Sequence, residues 1–362
     1  MEHGSQGDGR GPGTLLLTTN PGLEEFVAEE FAERAEIFAL EGLVTTPRPW
    51  DLDGYVQVAW ERGPEESLEL IEGMRSIHWG LRGGQCIELD EADPLESIRQ
   101  GLRQSPIELL PPDKSFRVTS ERQGTHPFTS TQAQGAAGAA LVGRYGNPVD
   151  LTGYDIDVRA DVYDGQCVVG RVLNRRRLSQ RYQRVRQPRT ALMPTVAYAM
   201  LRLAGVEEGA LLDPCCGSGT ILFEAAHLYP GLQLFGSDLH ERVVGGARNN
   251  IATLLGDRSV ELRQADVRQL QTAYEGQTFQ ALVSNPPYGV RQGRQVNFFH
   301  FYRAFLSQAQ PLLEAGSPVV LLVCKEHVFE EVLRQLGTFR LVDKRLLKTG
   351  DVRPRIYLLE RL

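Results

Sequence analysis

An α/β fold with a doubly wound parallel sheet in its second half is what this chain predicts, and three observations carry that reading. Apolar, strand-like runs alternate with helix-like segments after residue 190. Each run closes on a polar side chain, Asp213, Asp238, Asp266 and Asn285, and these recur every 19 to 28 residues. The series opens with a strand, a glycine loop and a helix, Ala210-Leu-Leu-Asp-Pro-Cys-Cys-Gly-Ser-Gly-Thr220 followed by Ile-Leu-Phe-Glu-Ala-Ala. In a doubly wound sheet such strand ends gather along the carboxyl edge, where ligands bind.

The elements follow in order. The first 13 residues are rich in glycine and short polar groups, which predicts disorder. Thr14-Leu-Leu-Leu-Thr-Thr is a strand, and Leu23-Glu-Glu-Phe-Val-Ala-Glu-Glu-Phe-Ala has helical apolar spacing. Val56 to Trp60 is a further strand, so a small α+β unit spans 14–65. Ser67 to Met74 and Pro94 to Leu102 read as helices, Ser115-Phe-Arg-Val-Thr-Ser as a strand, and Gly135 to Tyr145 as a small-residue helix. Asp155 to Tyr163 alternates, and Gln166 to Leu173 pairs with it across Asp164-Gly165, a hairpin signal. In the second half, Ala210 to Asp213, Leu232 to Asp238, Val260 to Asp266 and Phe279 to Val283 are the strands.

The strand ends carry the chemistry. Gly217 and Gly219 permit a backbone approach that a β-carbon would block. Their distance from Asp213 is shorter than in the dinucleotide fingerprint, so NAD fits poorly. Asp238 lies 19 positions beyond Gly219 and can accept both hydroxyls of a ribose, while Asp266 suits an adenine amino group. Residues 285–288 read Asn-Pro-Pro-Tyr. Two prolines stiffen the chain leaving the strand and remove two donors, so the Asn285 side-chain oxygen and the Pro286 carbonyl stay free to accept the hydrogens of one planar amine. Tyr288 offers a face for the ring. By itself the tetrapeptide is also compatible with a stiff turn; behind three carboxylates and a glycine loop it reads as a methyl-acceptor site.

On these motifs, residues 191–362 resemble a class I, Rossmann-fold S-adenosylmethionine-dependent methyltransferase that modifies nucleobase amines. The resemblance implies a seven-stranded mixed sheet. It implies that Asp213, Pro214, Cys215, Gly217, Ser218, Gly219 and Thr220 hold the methionine part of S-adenosylmethionine. Asp238 with Leu239 would then take the ribose, and Asp266 with Val267 the adenine. Asn285, Pro286, Pro287 and Tyr288 match the catalytic tetrapeptide, Asn285 also bordering the cofactor. The tetrapeptide leaves guanine N2, adenine N6 and a protein glutamine amide open as acceptors.

The block before it, helix-strand-helix-strand-strand over 66–173, resembles the THUMP RNA-binding module on Ser115 to Ser120, Arg122, His126-Pro-Phe-Thr-Ser130 and the Asp157 to Leu173 hairpin. The resemblance implies that the small α+β unit over 14–65 is the N-terminal ferredoxin-like domain that accompanies this module. The whole is therefore similar to tRNA guanine-N2 methyltransferases of the acceptor stem, in which THUMP is expected to read the 3′ CCA end. Similar modules modify guanine in 23S ribosomal RNA, which stays an alternative. THUMP enzymes acting elsewhere on tRNA often begin the tetrapeptide with Asp; here it is Asn285. An RNA-binding protein with an inactive methyltransferase half stays open as the non-enzyme alternative, although every expected cofactor position is filled, which argues against decay.

Composition agrees. The chain has 362 residues, 41% of them hydrophobic, and a formal charge of −7. No apolar run approaches a bilayer span, and no basic-plus-apolar leader opens the chain, so a cytoplasmic protein is expected; the resemblance to THUMP methyltransferases of this size implies a monomer. The five cysteines lack the spacing of a zinc site, and no metal is expected. Acidity is local: residues 1–90 carry 18 acidic and 6 basic side chains. Residues 171–189 hold eight arginines and no acid, making 174–190 an Arg-rich linker before the catalytic half. Guanidinium forks match phosphate, and Tyr182 can stack on a base. Arg122, His126, Arg175, Arg176, Arg177, Arg181 and Arg184 are the expected RNA contacts.

Overall fold

The computed structural model describes residues 11–182, 191–287, 297–348 and 353–362. They form two compact units, Met1–Thr19 with Glu24–Leu178, and Asn20–Leu23 with Ser179–Leu362. Among the described residues no helix is long and apolar enough to cross a membrane.

The first unit is built on one eight-stranded sheet. Its elements in chain order are β1 (Gly11–Thr18), α1 (Glu24–Ile37), β2 (Val44–Pro47), β3 (Tyr55–Gly63), α2 (Leu68–Ile71), β4 (Trp79–Glu88), α3 (Pro94–Gln104), β5 (Phe116–Thr119), β6 (Arg122–Gln123), α4 (Ser130–Tyr145), β7 (Ile156–Tyr163) and β8 (Gln166–Val172). The strand order is β2-β3-β1-β4-β8-β7-β5, with β6 beside β7. Residues 14–65 and 66–173 thus share one sheet, because β4 pairs with β1 on one side and β8 on the other. Period-2 alternation decides the faces. Leu15, Leu17, Val56, Val58 and Trp60 bury against Val27 and Phe31 of α1. Val158, Ala160, Val162, Cys167 and Val169 bury against Ile98 and Leu102 of α3 and the alanine stripe of α4. The helix α4 starts on a capping box in which the Thr129 hydroxyl accepts from Gln132 N and the Gln132 side chain accepts from Thr129 N.

Two local expectations change. Gly11 to Gly13, expected within the disordered leader, begin β1; Gly13 faces the Trp60 ring, where a β-carbon would come within 2.2 Å, so only glycine lets the strand run on. The helix expected over Ser67 to Met74 is a single turn, because the chain turns extended at Glu72, with ψ 131°, and Gly73 follows at φ +85°. Residues 1–10 lie outside the described residues.

The second unit contains α5 (Pro194–Ala204), β9 (Gly209–Asp213), α6 (Thr220–Leu228), β10 (Leu232–Asp238), α7 (Glu241–Leu255), β11 (Val260–Gln264), α8 (Leu270–Ala273), β12 (Ala281–Ser284), α9 (Phe298–Ala309), β13 (Pro318–Val323), α10 (Glu326–Leu336), β14 (Phe339–Leu346) and β15 (Arg355–Arg361). Its seven-stranded sheet has the order β11-β10-β9-β12-β13-β15-β14. Strands β9 to β13 are parallel, and β15 runs antiparallel to both neighbours. This is the mixed Rossmann-type sheet the motifs imply. One face is covered by α8, α9 and α10 through Leu270, Tyr302, Phe305, Phe329 and Val332. The chain winds outward from β9 to β11, then returns to place β12 on the other side of β9. That reversal opens a crevice at the carboxyl ends of β9 and β12.

Candidate active site

The four polar strand ends meet along the carboxyl edge of the second sheet. Asp213 is the last residue of β9 and Asp238 the last of β10; Asp266 follows β11 by two residues, and Asn285 follows β12 directly. Between β9 and α6 the loop turns on two left-handed glycines, Gly217 at φ +53° and Gly219 at φ +91°. A β-carbon on Gly219 would strike the Phe223 ring at 2.9 Å, whereas one on Gly217 would meet nothing within 4 Å. The loop is therefore packed from below and open above Gly217, as a ligand cradle requires. Cys216 N donates to the Ser237 carbonyl at 2.8 Å, and the Asn250 side chain on α7 donates to the Ser218 carbonyl at 3.2 Å. Asn250, fully buried, was not singled out in the sequence. Its only signal was a carboxamide on the apolar face of a helix.

Each carboxylate has its own environment. Asp238 accepts from Gly217 N at 3.3 Å and His240 N at 3.2 Å, which orients its oxygens beside the loop. Asp266 accepts from Arg268 N and from the Arg268 guanidinium, both at 2.9 Å, and these bonds hold its pKa below the usual carboxylate range. Asp213 is buried at 1% exposure, and desolvation pushes it up to about 7. Two donors oppose that shift, the Ser284 hydroxyl at 2.7 Å and Cys215 N at 3.2 Å. Ser284 is the second residue missed in the sequence, a lone hydroxyl closing an apolar strand; it ties the end of β12 to the end of β9.

The neighbouring thiols are inert. Burial raises Cys215 and Cys216 well above the ordinary thiol value, and Asp213 and Asp238 add to the effect. Both are free cysteines. Neither is a thiolate at neutral pH. Pro214, Ser218 and Thr220 are buried in the loop, Leu239 is 49% exposed at the mouth, and Val267 packs into the core below.

At the crevice, Pro286 is buried and Pro287 half-buried. The Asn285 Oδ1 atom is buried with no hydrogen-bond partner among the described residues. A buried acceptor without a donor costs about 1–3 kcal/mol, which a ligand amine would recover. Tyr288 lies outside the described residues.

Comparison with known proteins bears on the family. Residues 181–353 match the RMKL-like methyltransferase domain, and residues 94–172 match the THUMP domain. The tRNA (guanine(6)-N2)-methyltransferase of Thermus thermophilus is 35% identical over 96% of this chain and 99% of its own. The crystal structure of TrmN from Thermus thermophilus superposes with a TM-score of 0.74 at 33% identity, covering 96% of this chain and 99% of that one. This chain belongs to the THUMP-domain methyltransferases. SMU.472, solved in complex with SAH, shares the fold at 19% identity, with a TM-score of 0.73 over 97% of this chain and 99% of its own.

In this THUMP-domain methyltransferase the expected RNA contacts fall in different settings. Arg122 is exposed; it donates to the His126 carbonyl at 3.2 Å and lies over the Phe128 ring. His126 shares a hydrogen bond with the Asp164 carbonyl at 2.7 Å. Arg175 and Arg176 are exposed on a turn held by buried Asn174, which donates to the His78 and Arg176 carbonyls and accepts from Gly80 N. Arg177 is half-buried. Arg181 is different. Its guanidinium pairs at 2.8 Å with Glu224, a fully buried carboxylate of α6, and Tyr182 packs on Phe223 and His227. A buried carboxylate needs that cation, so Arg181 is committed inside the unit. Arg184 lies outside the described residues.

Proposed function

We propose that this protein methylates the exocyclic N2 of a guanine in tRNA, at position 6 of the acceptor stem, with S-adenosylmethionine as donor. The observation that carries the reading is the orphaned, buried Asn285 Oδ1 at the switch point of the sheet, one residue past the Ser284 that binds the glycine-loop aspartate. The near full-length likeness to a tRNA (guanine(6)-N2)-methyltransferase supports it. In this reading residues 14–173 supply the RNA-binding front, ferredoxin-like then THUMP, and the THUMP part takes the 3′ CCA end. Residues 191–362 form the catalytic unit, and the protein works as a cytoplasmic monomer.

The chain's own residues fit the donor. The open space above Gly217 takes the methionine moiety, Asp213 faces its cationic amine, Asp238 the ribose hydroxyls and Asp266 the adenine amine. Bound S-adenosylmethionine supplies an electrophilic sulfonium methyl. Asn285 Oδ1 and the Pro286 carbonyl accept the two hydrogens of the guanine amine and draw its lone pair out of conjugation with the ring. Holding the nitrogen in line is the main contribution, worth several kcal/mol. Neither acceptor is a strong base, so the proton shed on methylation leaves to solvent.

The experiment is nucleoside mass spectrometry of tRNA incubated with the protein and labelled S-adenosylmethionine. N2-methylguanosine at position 6 is the expected product. Label confined to ribosomal RNA, or to adenine, overturns the reading.

A further inference from the structure

The Arg-rich run contains one aromatic ring, Tyr182, which as a sequence feature suits base stacking. The structure gives that ring other neighbours. Phe223 and His227 lie one turn apart on α6 and so share a face, and Tyr182 packs against both at ring-centroid distances of 5.5 and 5.7 Å. The residue before it fixes it there: the Arg181 guanidinium pairs at 2.8 Å with Glu224, fully buried on the same helix. His227 Nδ1 shares a hydrogen bond with the Phe223 carbonyl at 2.8 Å, which ties the two α6 rings together.

Phe223 is the residue on which the glycine loop rests. Its ring is fully buried against Gly219, where a β-carbon would come within 2.9 Å of it, and its amide donates to the Gly219 carbonyl at 2.9 Å. Gly219 N donates in turn to the Cys216 carbonyl at 2.8 Å, closing the turn that carries Gly217 and its open side. Contacts therefore run unbroken from Tyr182 through Phe223 and Gly219 to the turn that would receive the methionine moiety. Removing the Tyr182 ring opens a void beside Phe223, and a ring with space beside it no longer holds Gly219 in one place.

We infer that Tyr182 is a positioning residue for the donor: anchored by the Arg181–Glu224 pair, it braces the Phe223 floor of the glycine loop, and it serves S-adenosylmethionine rather than RNA. The inference rests on the proposed use of S-adenosylmethionine. The ring does the bracing, so phenylalanine can replace tyrosine and alanine cannot. Arg181 is the poorer probe, because its loss leaves Glu224 buried and unpaired. Tyr182 is half-buried, and its truncation is milder.

The test compares Tyr182→Ala and Tyr182→Phe with wild type in the full chain. Val332→Ala, a core truncation on α10, is the control for general destabilisation. The readouts are S-adenosylmethionine affinity by calorimetry, tRNA affinity by filter binding, melting temperature, and deuterium uptake of segment 214–223 in the ligand-free protein. For Tyr182→Ala we expect donor affinity about tenfold weaker, faster deuterium uptake in the loop, and tRNA affinity within about twofold of wild type. Tyr182→Phe should restore donor affinity and loop protection, and Val332→Ala should melt lower yet bind the donor normally. Donor affinity left intact by Tyr182→Ala overturns the inference, as does an equal loss in Val332→Ala or in Tyr182→Phe. A fall in tRNA affinity with unchanged donor affinity returns Tyr182 to base stacking and likewise overturns it. Wild-type protein that binds the donor yet forms no N2-methylguanosine refutes the proposed reaction and leaves the inference standing. Wild-type protein that binds no donor refutes both.

Discussion

Asn285 and Asp213 stand a short way apart on the same sheet edge, yet their polar atoms are in opposite states. Asn285 Oδ1 lacks a donor, whereas Asp213 has two donors and almost no solvent. For Asn285→Ala we expect methyl transfer to fall by about a hundredfold or more while cofactor affinity changes less than about twofold, measured by single-turnover kinetics and calorimetry. Asp213 makes a prediction in pH. The groups facing it are the Ser284 hydroxyl on β12, the Cys215 and Cys216 thiols of its own loop, and Asp238 on β10. Burial lifts its folded pKa from 3.8 to about 7. Between those values the folded state holds a proton that the unfolded state has released. The stabilising effect of that proton is complete below about pH 4 and is lost as pH rises through 7. Asp213→Asn should therefore gain stability relative to wild type across this window, by a few kcal/mol, and then run parallel to it. Urea unfolding of both proteins at several pH values measures the difference; a constant offset would show that Asp213 titrates normally. Ser284→Ala removes one of the donors opposing the shift, so its pH-dependent loss of cofactor binding should move to higher pH.

At the scale of elements, legibility depended on how much a segment declares itself locally. The hairpin β7–β8 announced itself through alternation and Asp164-Gly165, and the glycine loop through its spacing. Strand β4 did not. Its centre is Gly83-Gly84, where the register with β8 shifts between Arg82 and Gln85 and a β-carbon on Gly84 would meet the Leu16 side chain at 2.6 Å. Glycine there is a tertiary requirement that reads in the sequence as a strand breaker. The Arg-rich run shows the same limit. Eight arginines without an acid looked like a single basic surface, but α6 claims Arg181 through Glu224, 43 residues away. Arg181→Ala leaves that carboxylate buried and unpaired, and should cost about 3–5 kcal/mol in chemical denaturation. Replacing Arg175, which is exposed, should leave stability unchanged to within about 0.5 kcal/mol.

At the scale of the whole molecule, net charge is a poor guide to partners. A protein of formal charge −7 keeps its acidity toward the front and presents arginines at the end of the first unit. Arg175→Gln with Arg176→Gln should weaken tRNA binding and lower the slope of log affinity against log salt by about 1 for each phosphate that is no longer neutralised. An unchanged slope would return these side chains to ordinary solvated surface. The continuous sheet of the first unit makes its own prediction. A fragment of residues 66–173 lacks β1 and bares the edge of β4, so it should aggregate under conditions in which residues 11–178 stay in solution, as read by light scattering.

By itself the sequence determined the chemistry of this protein's sheet edge: which strands end in Asp213, Asp238, Asp266 and Asn285, where the backbone can turn at Gly217 and Gly219, and that a stiff tetrapeptide follows. Those features are local, set by φ/ψ limits and side-chain type, and survive being read one segment at a time. Only the tertiary structure decided which polar atoms keep a partner. That Ser284 satisfies Asp213, that Arg181 belongs to Glu224, and that Asn285 Oδ1 is left over at its strand end follows from burial and from pairings across many residues, which no local pattern encodes.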